Sequence, residues 1–562
     1  MVTLFGFEKG GEKQVEAGTI EASKPVNPQD LSTFTQKYLT NQKKRYQSYF
    51  SGTESTIRVS EVLGNIALLY EKIRNVVEYK GEHVLRRNAI ERILKRLLWE
   101  HAGHDTQRIA QILLRELIWA HYLPNDFVPK SKVNEVAKII GKYLYFLGKL
   151  SDRGTGISPQ KLREWVWGIA SCEIEESVEA SSRETYVELM YEWFMTYFIW
   201  TDDGFSDHEK QIQIYLAIHR GLAKSDDEIM RYHLLLKEYP GWFTADEHKV
   251  NEVVENFYKL YEEIEKHLQF SDAAALFRTV KKQVAPFEIL RDLVETEGHE
   301  AQNIITDTEK FEWKIREICQ KKYAQIQRKV NRGIVRSILY IFVTKVLLAI
   351  LIEVPYELAR FGSLTILPLA INVVVPPGMM WLLGLTIRAP GEDNTQRLIS
   401  KLKTIVYQNQ HVVKTSFSLT RVKRGSQLAT VFSVIYLILF VFVFGGITYL
   451  FMQLHFTWLG ILIFFAFLSL VLLFGYRVRF TATELKVMGD KENILSYVFN
   501  NLTLPFLSTG VYLSKGLAKI NFLTVILDFL IEAPLKTIIE VVEEWTSFIR
   551  EKREEVVEVP EQ

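Results

Sequence analysis

Long uncharged runs of apolar residues limit the fold of this chain more than any other feature of its sequence. Residues 428–452 and 456–476 contain no charged side chain, and three residues separate them. As a helix, roughly 20 apolar residues cross the ~30 Å hydrocarbon core of a bilayer. The two runs therefore predict a tight hairpin of membrane-spanning helices.

Two earlier runs extend this pattern. Residues 364–387 are also uncharged, whereas residues 337–354 are interrupted by Lys345 and carry Glu353 near their end. We expect both runs to span, which gives a four-span transmembrane domain at residues 336–480. The alternative for the first run is that it does not cross the bilayer completely.

The distribution of basic residues predicts the orientation of these spans. Short cytoplasmic loops carry an excess of Lys and Arg. Residues 321–336 and the loop at 388–424 are strongly basic, whereas residues 353–363 and the hairpin turn are not. We therefore predict a multi-pass protein of the cell (inner) membrane with both termini in the cytoplasm. The expected cytoplasmic anchors are Arg332, Arg336, Arg388, Arg421, Lys423, Arg424, Arg477 and Arg479.

Polar and helix-breaking residues stand at membrane depth, namely Lys345, Glu353, Asn372, Pro376 and Pro377. A charge at the centre of a span costs at least ~2.5 kcal/mol, so one interpretation is a substrate or ion pathway. The other is that Lys345 faces the helix bundle and pairs with Glu353 or a carbonyl, while Asn372 bonds to a neighbouring helix. The two prolines predict a kink or a short unwound turn that packs against the 428–476 hairpin.

The rest of the chain has helical periodicity and no sustained strand alternation. We predict an all-α fold: a large soluble multi-helix domain at 36–335, the four-helix transmembrane region, and C-terminal amphipathic helices. One apolar stripe runs from Val250 to Leu268 behind a capping-box pattern that starts at Thr244. Another runs from Phe311 to Val330 towards the first span and predicts a near-continuous helix between domain and membrane.

The remaining segments complete this prediction. Residues 1–35 are polar and are expected to be mobile. Residues 490–550 are expected to form amphipathic helices on the membrane interface or docked on the soluble domain, and residues 551–562 a charged tail. Five tryptophans are expected to pack between helices of the soluble domain: Trp165, Trp167, Trp193, Trp200 and Trp242.

Motifs that carry chemistry are weak in this sequence. Glu100, His101 and His104 could hold a metal, but a helix end followed by a new helix capped at Asp105 explains the same pattern. The acidic run from Cys172 to Glu176 is interpreted as a solvated face. Because the sequence lacks nucleotide-binding, hydrolase and zinc-protease signatures, it favours a role without catalysis but leaves enzyme activity open, and we expect no cofactor.

One local pattern resembles a known family. Residues 202–210 read DDGFSDHEK, and acidic residues recur at 224–228. This resembles the helical domains of the tellurite-resistance B type, in which a D-G turn and an acidic cap separate two helices. The resemblance covers this segment alone and carries no metal site, and EF-hand spacing fails. The local interpretation is that Gly204 supplies a positive φ and Asp207 caps the following helix.

Three functions remain open at this stage. The favoured one is a membrane-anchored interaction or scaffold protein, whose partners are the lipid bilayer and a protein that binds the cytosolic domain. The second is an oligomeric transporter or channel with a pathway near Lys345, Asn372 and the Pro376–Pro377 break. The third is a membrane enzyme. A homo-oligomer is left open, and a net charge of +1 gives no reason to expect nucleic acid.

Overall fold

The computed structural model describes nine segments of the chain: 31–50, 55–59, 82–100, 105–153, 156–179, 183–407, 414–419, 426–487 and 494–518. These segments are almost entirely helical, which confirms the all-α fold class. Residues 1–30, residues 60–81 and everything after residue 518 lie outside the described residues, so the predictions made for most of the N-terminal segment, for residues 519–550 and for the charged tail stay predictions.

The chain divides into two compact units. Of the described residues, the helical unit contains those from 36 to 281, and the membrane unit contains residues 31–35 and those from 282 to 518. The predicted border at residue 335 marks where the chain enters the membrane. This predicted border differs from the border between the two compact units at residues 281 and 282, and it stays a prediction.

The helical unit contains ten described helices and one short strand. They are α1 (Thr33–Phe50, which begins in the membrane unit), α2 (Glu82–Glu100), α3 (Thr106–Trp119), α4 (Ser131–Arg153), α5 (Pro159–Val178), α6 (Arg183–Tyr197), β1 (Phe198–Trp200), α7 (Asp207–Ile218), α8 (Asp227–Glu238), α9 (Glu247–Leu268) and α10 (Ala273–Lys281). Helix α5 is central, because α2, α4 and α8 all pack against it. The five tryptophans named from the sequence are all buried, as predicted.

Helix caps show where local signals were interpreted correctly and where they were not. Asp105 caps α3 as expected, since its carboxylate accepts hydrogen bonds from the amides of Gln107 and Arg108. Helix α9 has the predicted buried stripe, but its N-cap is Asp246 and not Thr244, because the Asp246 side chain accepts from the Lys249 amide.

The D-G turn at 202–210 also differs from its prediction. Ser206, and not Asp207, caps α7: its hydroxyl accepts from the Glu209 amide, and the Glu209 carboxylate accepts from the Ser206 amide. This capping box satisfies two helix-end donors at once and makes Asp207 the first helical residue. Gly204 is not among the described glycines with positive φ, so the predicted left-handed turn at this position is wrong.

The membrane unit contains the remaining described elements. They are α11 (Val284–Glu297), α12 (Ala301–Thr306), α13 (Thr308–Leu348), α14 (Val354–Phe361), α15 (Ile366–Thr386), α16 (Glu392–Val406), β2 (Thr415–Phe417), α17 (Ser426–Gln453), α18 (Trp458–Ala482) and α19 (Ile494–Ala518). Four stretches are long and apolar enough to cross a membrane: 308–361, 366–386, 433–453 and 458–482. They contain or overlap the four predicted spans.

Helix α13 is the long element expected between the domain and the membrane. It runs unbroken through 41 residues and continues through a π-helical turn, Ala349–Glu353, into α14. Its predicted stripe is buried at Phe311, Ile315 and Val330. The predicted continuity of this helix from Phe311 into the first apolar run is therefore confirmed, while its role as a link between a soluble domain and the membrane stays a prediction.

Helix α15 does not unwind at its two prolines. Pro376 and Pro377 lie inside a continuous helix, so the predicted unwound turn is wrong. Both prolines are buried, and α15 packs against α13 and α18. Because proline cannot donate an amide hydrogen, two helix carbonyls lose their partners, but tertiary contacts on both sides of α15 hold the helical backbone.

Close helix contacts stabilise this bundle. A Cβ at Gly384 would lie 2.8 Å from Ile334, and one at Gly475 would lie 2.8 Å from Leu383. The tightest contact joins α19 to α18, where a Cβ at Gly510 would lie 2.4 Å from the Ser469 carbonyl oxygen. Glycine lets the helix backbones approach, as small residues do in membrane bundles.

Candidate functional site

The polar residues predicted to lie at membrane depth are brought together by a local irregularity of the helix. Lys345 and Glu353 are eight residues apart, and in a regular α-helix that spacing would separate their directions by about 80°. The π-helical turn at Ala349–Glu353 absorbs one extra residue between them. Glu353 is thereby rotated onto the face of α13 that carries Lys345.

The resulting polar cluster joins three helices of the membrane unit. The Lys345 Nζ donates to Glu353 Oε1 at 2.8 Å. The Asn372 Nδ2, from α15, donates to Glu353 Oε2 at 2.8 Å and to the Gly460 carbonyl of α18 at 3.2 Å. Lys345, Glu353 and Asn372 are called the polar cluster from here on. All three are buried, with exposed fractions of 0%, 4% and 1%.

The charges within the polar cluster balance. One ammonium faces one carboxylate, and the Lys345 Nζ also lies 5.0 Å from the centre of the Phe467 ring, a cation–π arrangement. Asn372 Oδ1 and Ser469 Oγ are buried without a hydrogen-bond partner among the described residues. The arrangement can therefore hold helices together, and Asn372 Oδ1 can accept a further donor.

The basic anchors named from the sequence fall into two groups. Arg332, Arg336, Arg388, Arg477 and Arg479 are exposed at the ends of the apolar helices. The other three, Arg421, Lys423 and Arg424, lie outside the described residues. Their predicted role in orientation stays a prediction.

The geometry of the candidate metal site at Glu100, His101 and His104 lies outside the described residues. His101 and His104 lie outside them, and Glu100 is the last residue of α2 with a side chain that is not described. The prediction of a metal site or of a plain helix end at this position stays a prediction.

The acidic run in α5 is not a solvated face. Glu173 and Glu175 are exposed by only 0% and 2%. Glu175 pairs with Arg86 and Arg183. Burial raises the pKa of Glu175, but the two guanidinium groups outweigh it and lower the pKa to about 2. The solvated-face interpretation is wrong because α5 is surrounded by other helices, so opposite sides of it are both buried.

Glu173 belongs to a second buried network on the other side of α5. It accepts a hydrogen bond from the Tyr143 hydroxyl at 2.8 Å and pairs with Lys142. The Trp242 Nε1 donates to the Tyr143 hydroxyl at 2.9 Å. Burial raises the pKa of Glu173, and Lys142 counteracts that rise. This network links α4, α5 and the turn before α9.

A third buried polar group was missed by the sequence analysis entirely. Glu184 of α6, His219 at the start of the π-helical turn His219–Ala223, and His233 of α8 place their side-chain ligand atoms within 4.8 Å of one another. These three residues are called the Glu–His cluster. No periodic signal connects them in the sequence; they meet because three separate elements of the helical unit pack together.

Comparisons with known proteins do not add to this geometry. No family model matches the chain, and no curated protein or solved structure is similar to it. The local resemblance of residues 202–228 to tellurite-resistance B-type domains therefore has no family match behind it.

Proposed function

We propose that this chain is a multi-pass membrane protein whose packed spans anchor a cytosolic helical domain, and that this domain binds a protein partner. The observation that carries the proposal is the closed polar cluster in the membrane unit. The Lys345 ammonium pairs with the Glu353 carboxylate, which also accepts a hydrogen bond from Asn372. None of the three side chains faces solvent.

The energetics of the polar cluster favour a structural role. A buried ion pair is weak in itself, but removing one partner leaves an uncompensated buried charge at a cost of about 3–5 kcal/mol. A polar side chain that bonds across helices also fixes how those helices pack. Asn372 does this by bridging Glu353 to the carbonyl of Gly460. The polar cluster thus defines how α13, α15 and α18 fit together.

Hydrogen bonds of the loop helix α16 support an anchor whose helices and connecting segments are firmly joined. Asn394 of α16 donates to the Tyr323 hydroxyl of α13 at 2.8 Å and to the Leu485 carbonyl at 2.9 Å, and it accepts from the Val487 amide. The loop helix α16 is therefore bound both to α13 and to the segment that follows α18. With a length of about 60 Å, α13 can transmit a displacement from one end to the other.

Exposed apolar side chains on the helical unit support a binding role for it. Ile199, Phe243 and Tyr258 have exposed fractions of 47%, 44% and 52%. Aromatic side chains of this kind are enriched in protein–protein interfaces. We propose the cytoplasmic side for this unit and for both termini, because the basic loop residues favour that orientation.

An oligomeric transporter or channel is the second candidate. The observation in its favour is that Asn372 Oδ1 and Ser469 Oγ are buried and unpaired among the described residues. An oxygen at membrane depth without a partner is expensive, and a passing solute or ion could supply one.

A flux experiment separates the two candidates. The double variant Lys345→Met/Glu353→Gln removes both charges together and so leaves neither charge unpaired. Reconstituted wild-type protein and the double variant are compared for ion and solute flux in proteoliposomes, and in cells for the partners they crosslink. The anchor proposal expects no flux from either protein and the same crosslinked partner for both. Wild-type flux that disappears in a folded double variant would establish the transporter instead.

A truncated chain tests separately whether the helical unit binds the protein partner. A chain that retains the membrane unit but lacks residues 36–281 should lose the dominant crosslinked partner while it remains in the membrane. If that partner is retained, the helical unit is not its binding site.

A further inference from the structure

We propose that the Glu–His cluster is a binding site for a divalent transition metal, with Zn²⁺ the best fit. The ligand atoms are Glu184 Oε2, His219 Nε2 and His233 Nδ1. The site lies within the helical unit, and the inference does not depend on the proposed anchor function. Carboxylate and imidazole are ordinary ligands for this class of metal.

The distances between the ligand atoms fit a shared metal. Glu184 Oε2 lies 3.3 Å from His219 Nε2 and 3.2 Å from His233 Nδ1. Two ligands at ~2.0–2.1 Å from a tetrahedral Zn²⁺ stand about 3.3 Å apart. The two measured distances therefore have the length expected between two ligands of such a metal.

In each ligand side chain, the atom that does not face the metal position contacts a second residue. His233 Nε2 lies 3.0 Å from Glu176 Oε1, and His219 Nδ1 lies 3.1 Å from the Ser225 hydroxyl. The Tyr215 hydroxyl donates to Glu184 Oε1 at 2.7 Å. Metal-binding histidines regularly use their other ring nitrogen in this way, which fixes the tautomer and the ring orientation. The remaining atom of each side chain is then the one directed at the other two.

The direct contact between two of these atoms does not meet the geometry of a good hydrogen bond. Glu184 Oε2 and His219 Nε2 are buried and face each other as an ion pair at 3.3 Å, yet neither completes a hydrogen bond among the described residues. His219 itself is 1% exposed. A cation between the two atoms would satisfy both.

The three protein ligands leave the fourth place of a tetrahedral sphere for water or another small ligand. The Glu184 side chain is 24% exposed, but its Oε2 atom is buried, as are the side chains of His219 and His233.

Metal content of the full-length protein tests the proposal. The purified protein is stripped with a chelator, reloaded with Zn²⁺ alone and analysed by mass spectrometry, and Co²⁺ is substituted to read the coordination geometry from its absorption spectrum. We expect one tightly bound metal per chain and a tetrahedral Co²⁺ spectrum. His219→Gln and His233→Gln should each remove it. The matched control is His208→Gln, which changes an exposed histidine at the start of α7.

A second pair of variants guards against misfolding. Glu176→Gln and Ser225→Ala alter only the supporting hydrogen bonds and should weaken Zn²⁺ affinity by about 10–100-fold. A wild-type protein that binds no Zn²⁺, or variants that bind it as tightly as the wild type, would overturn the proposal. So would loss of the metal in His101→Ala/His104→Ala alone, because the metal would then belong to that segment.

Discussion

Lys345 and Glu353 form a 2.8 Å ion pair across a single π-helical turn, and Asn372 bonds to the same carboxylate from the next span. The pairing converts the most costly residue of the first span into a contact that specifies helix packing. It also favours a structural role for Asn372 in the second span, because its side-chain amide donates to a protein carboxylate and a protein carbonyl.

Asn372→Leu should destabilise the membrane unit by about 1–3 kcal/mol, because Glu353 Oε2 and the Gly460 carbonyl each lose a buried donor. Thermal unfolding in detergent measures the effect. Leu367→Val, at an exposed position of α15, serves as the control and should change stability little. Equal stability of the two variants would show that the Asn372 contacts contribute nothing.

Gly510→Ala should weaken the packing of α19 on α18, because the added methyl group would lie 2.4 Å from the Ser469 carbonyl oxygen. Overpacking of this kind costs about 1–3 kcal/mol. The control is Gly446→Ala on α17, where nothing lies within 4 Å and helix propensity favours alanine. A Gly510 variant as stable as the Gly446 variant in a detergent unfolding series contradicts the close contact.

Glu173→Ala should destabilise the helical unit by about 3–5 kcal/mol, since it leaves the Lys142 charge and the Tyr143 hydroxyl without their buried partner. Glu164→Ala, on the exposed face of the same helix, should stay within about 0.5 kcal/mol of the wild type. Chemical denaturation followed by tryptophan fluorescence distinguishes the two, because Trp242 belongs to the network.

The Glu175 carboxylate should make stability depend on acid pH. Its folded-state pKa of about 2 is below the ordinary value of 4.5, so its contribution is complete above that value and is lost as the pH falls towards 2. We expect the free energy of unfolding to fall as the pH drops from about 4.5 towards 2. Glu175→Gln should flatten this part of the pH profile, whereas the exposed Glu164→Gln should leave it unchanged.

The sequence was most informative where structure is determined by local composition. Apolar runs of sufficient length predict spans regardless of tertiary context, so the four helices and the long α13 were predictable. Pro376 and Pro377 were misjudged because their local preference is overridden by packing of α15 against α13 and α18. A single sequence shows proline's preference but does not show which neighbours hold it in a helix.

The polar clusters were predictable to different degrees. Lys345, Glu353 and Asn372 stood out because a polar residue in an apolar run is conspicuous. Glu173 and Glu175 did not, since an acidic run usually lies on a solvated face, and burial on opposite sides of α5 depends on the whole unit. The Glu–His cluster combines residues from three elements, and no spacing rule brings Glu184, His219 and His233 together.

The most direct test of the anchor account is a double-mutant cycle on the central ion pair. The free energy of unfolding is measured in detergent for Lys345→Met, Glu353→Gln and the two combined. The account predicts that each single change costs about 3–5 kcal/mol and that the double variant loses clearly less than the sum, because neither charge is left alone. Single variants as stable as the wild type, or losses that simply add, would contradict it.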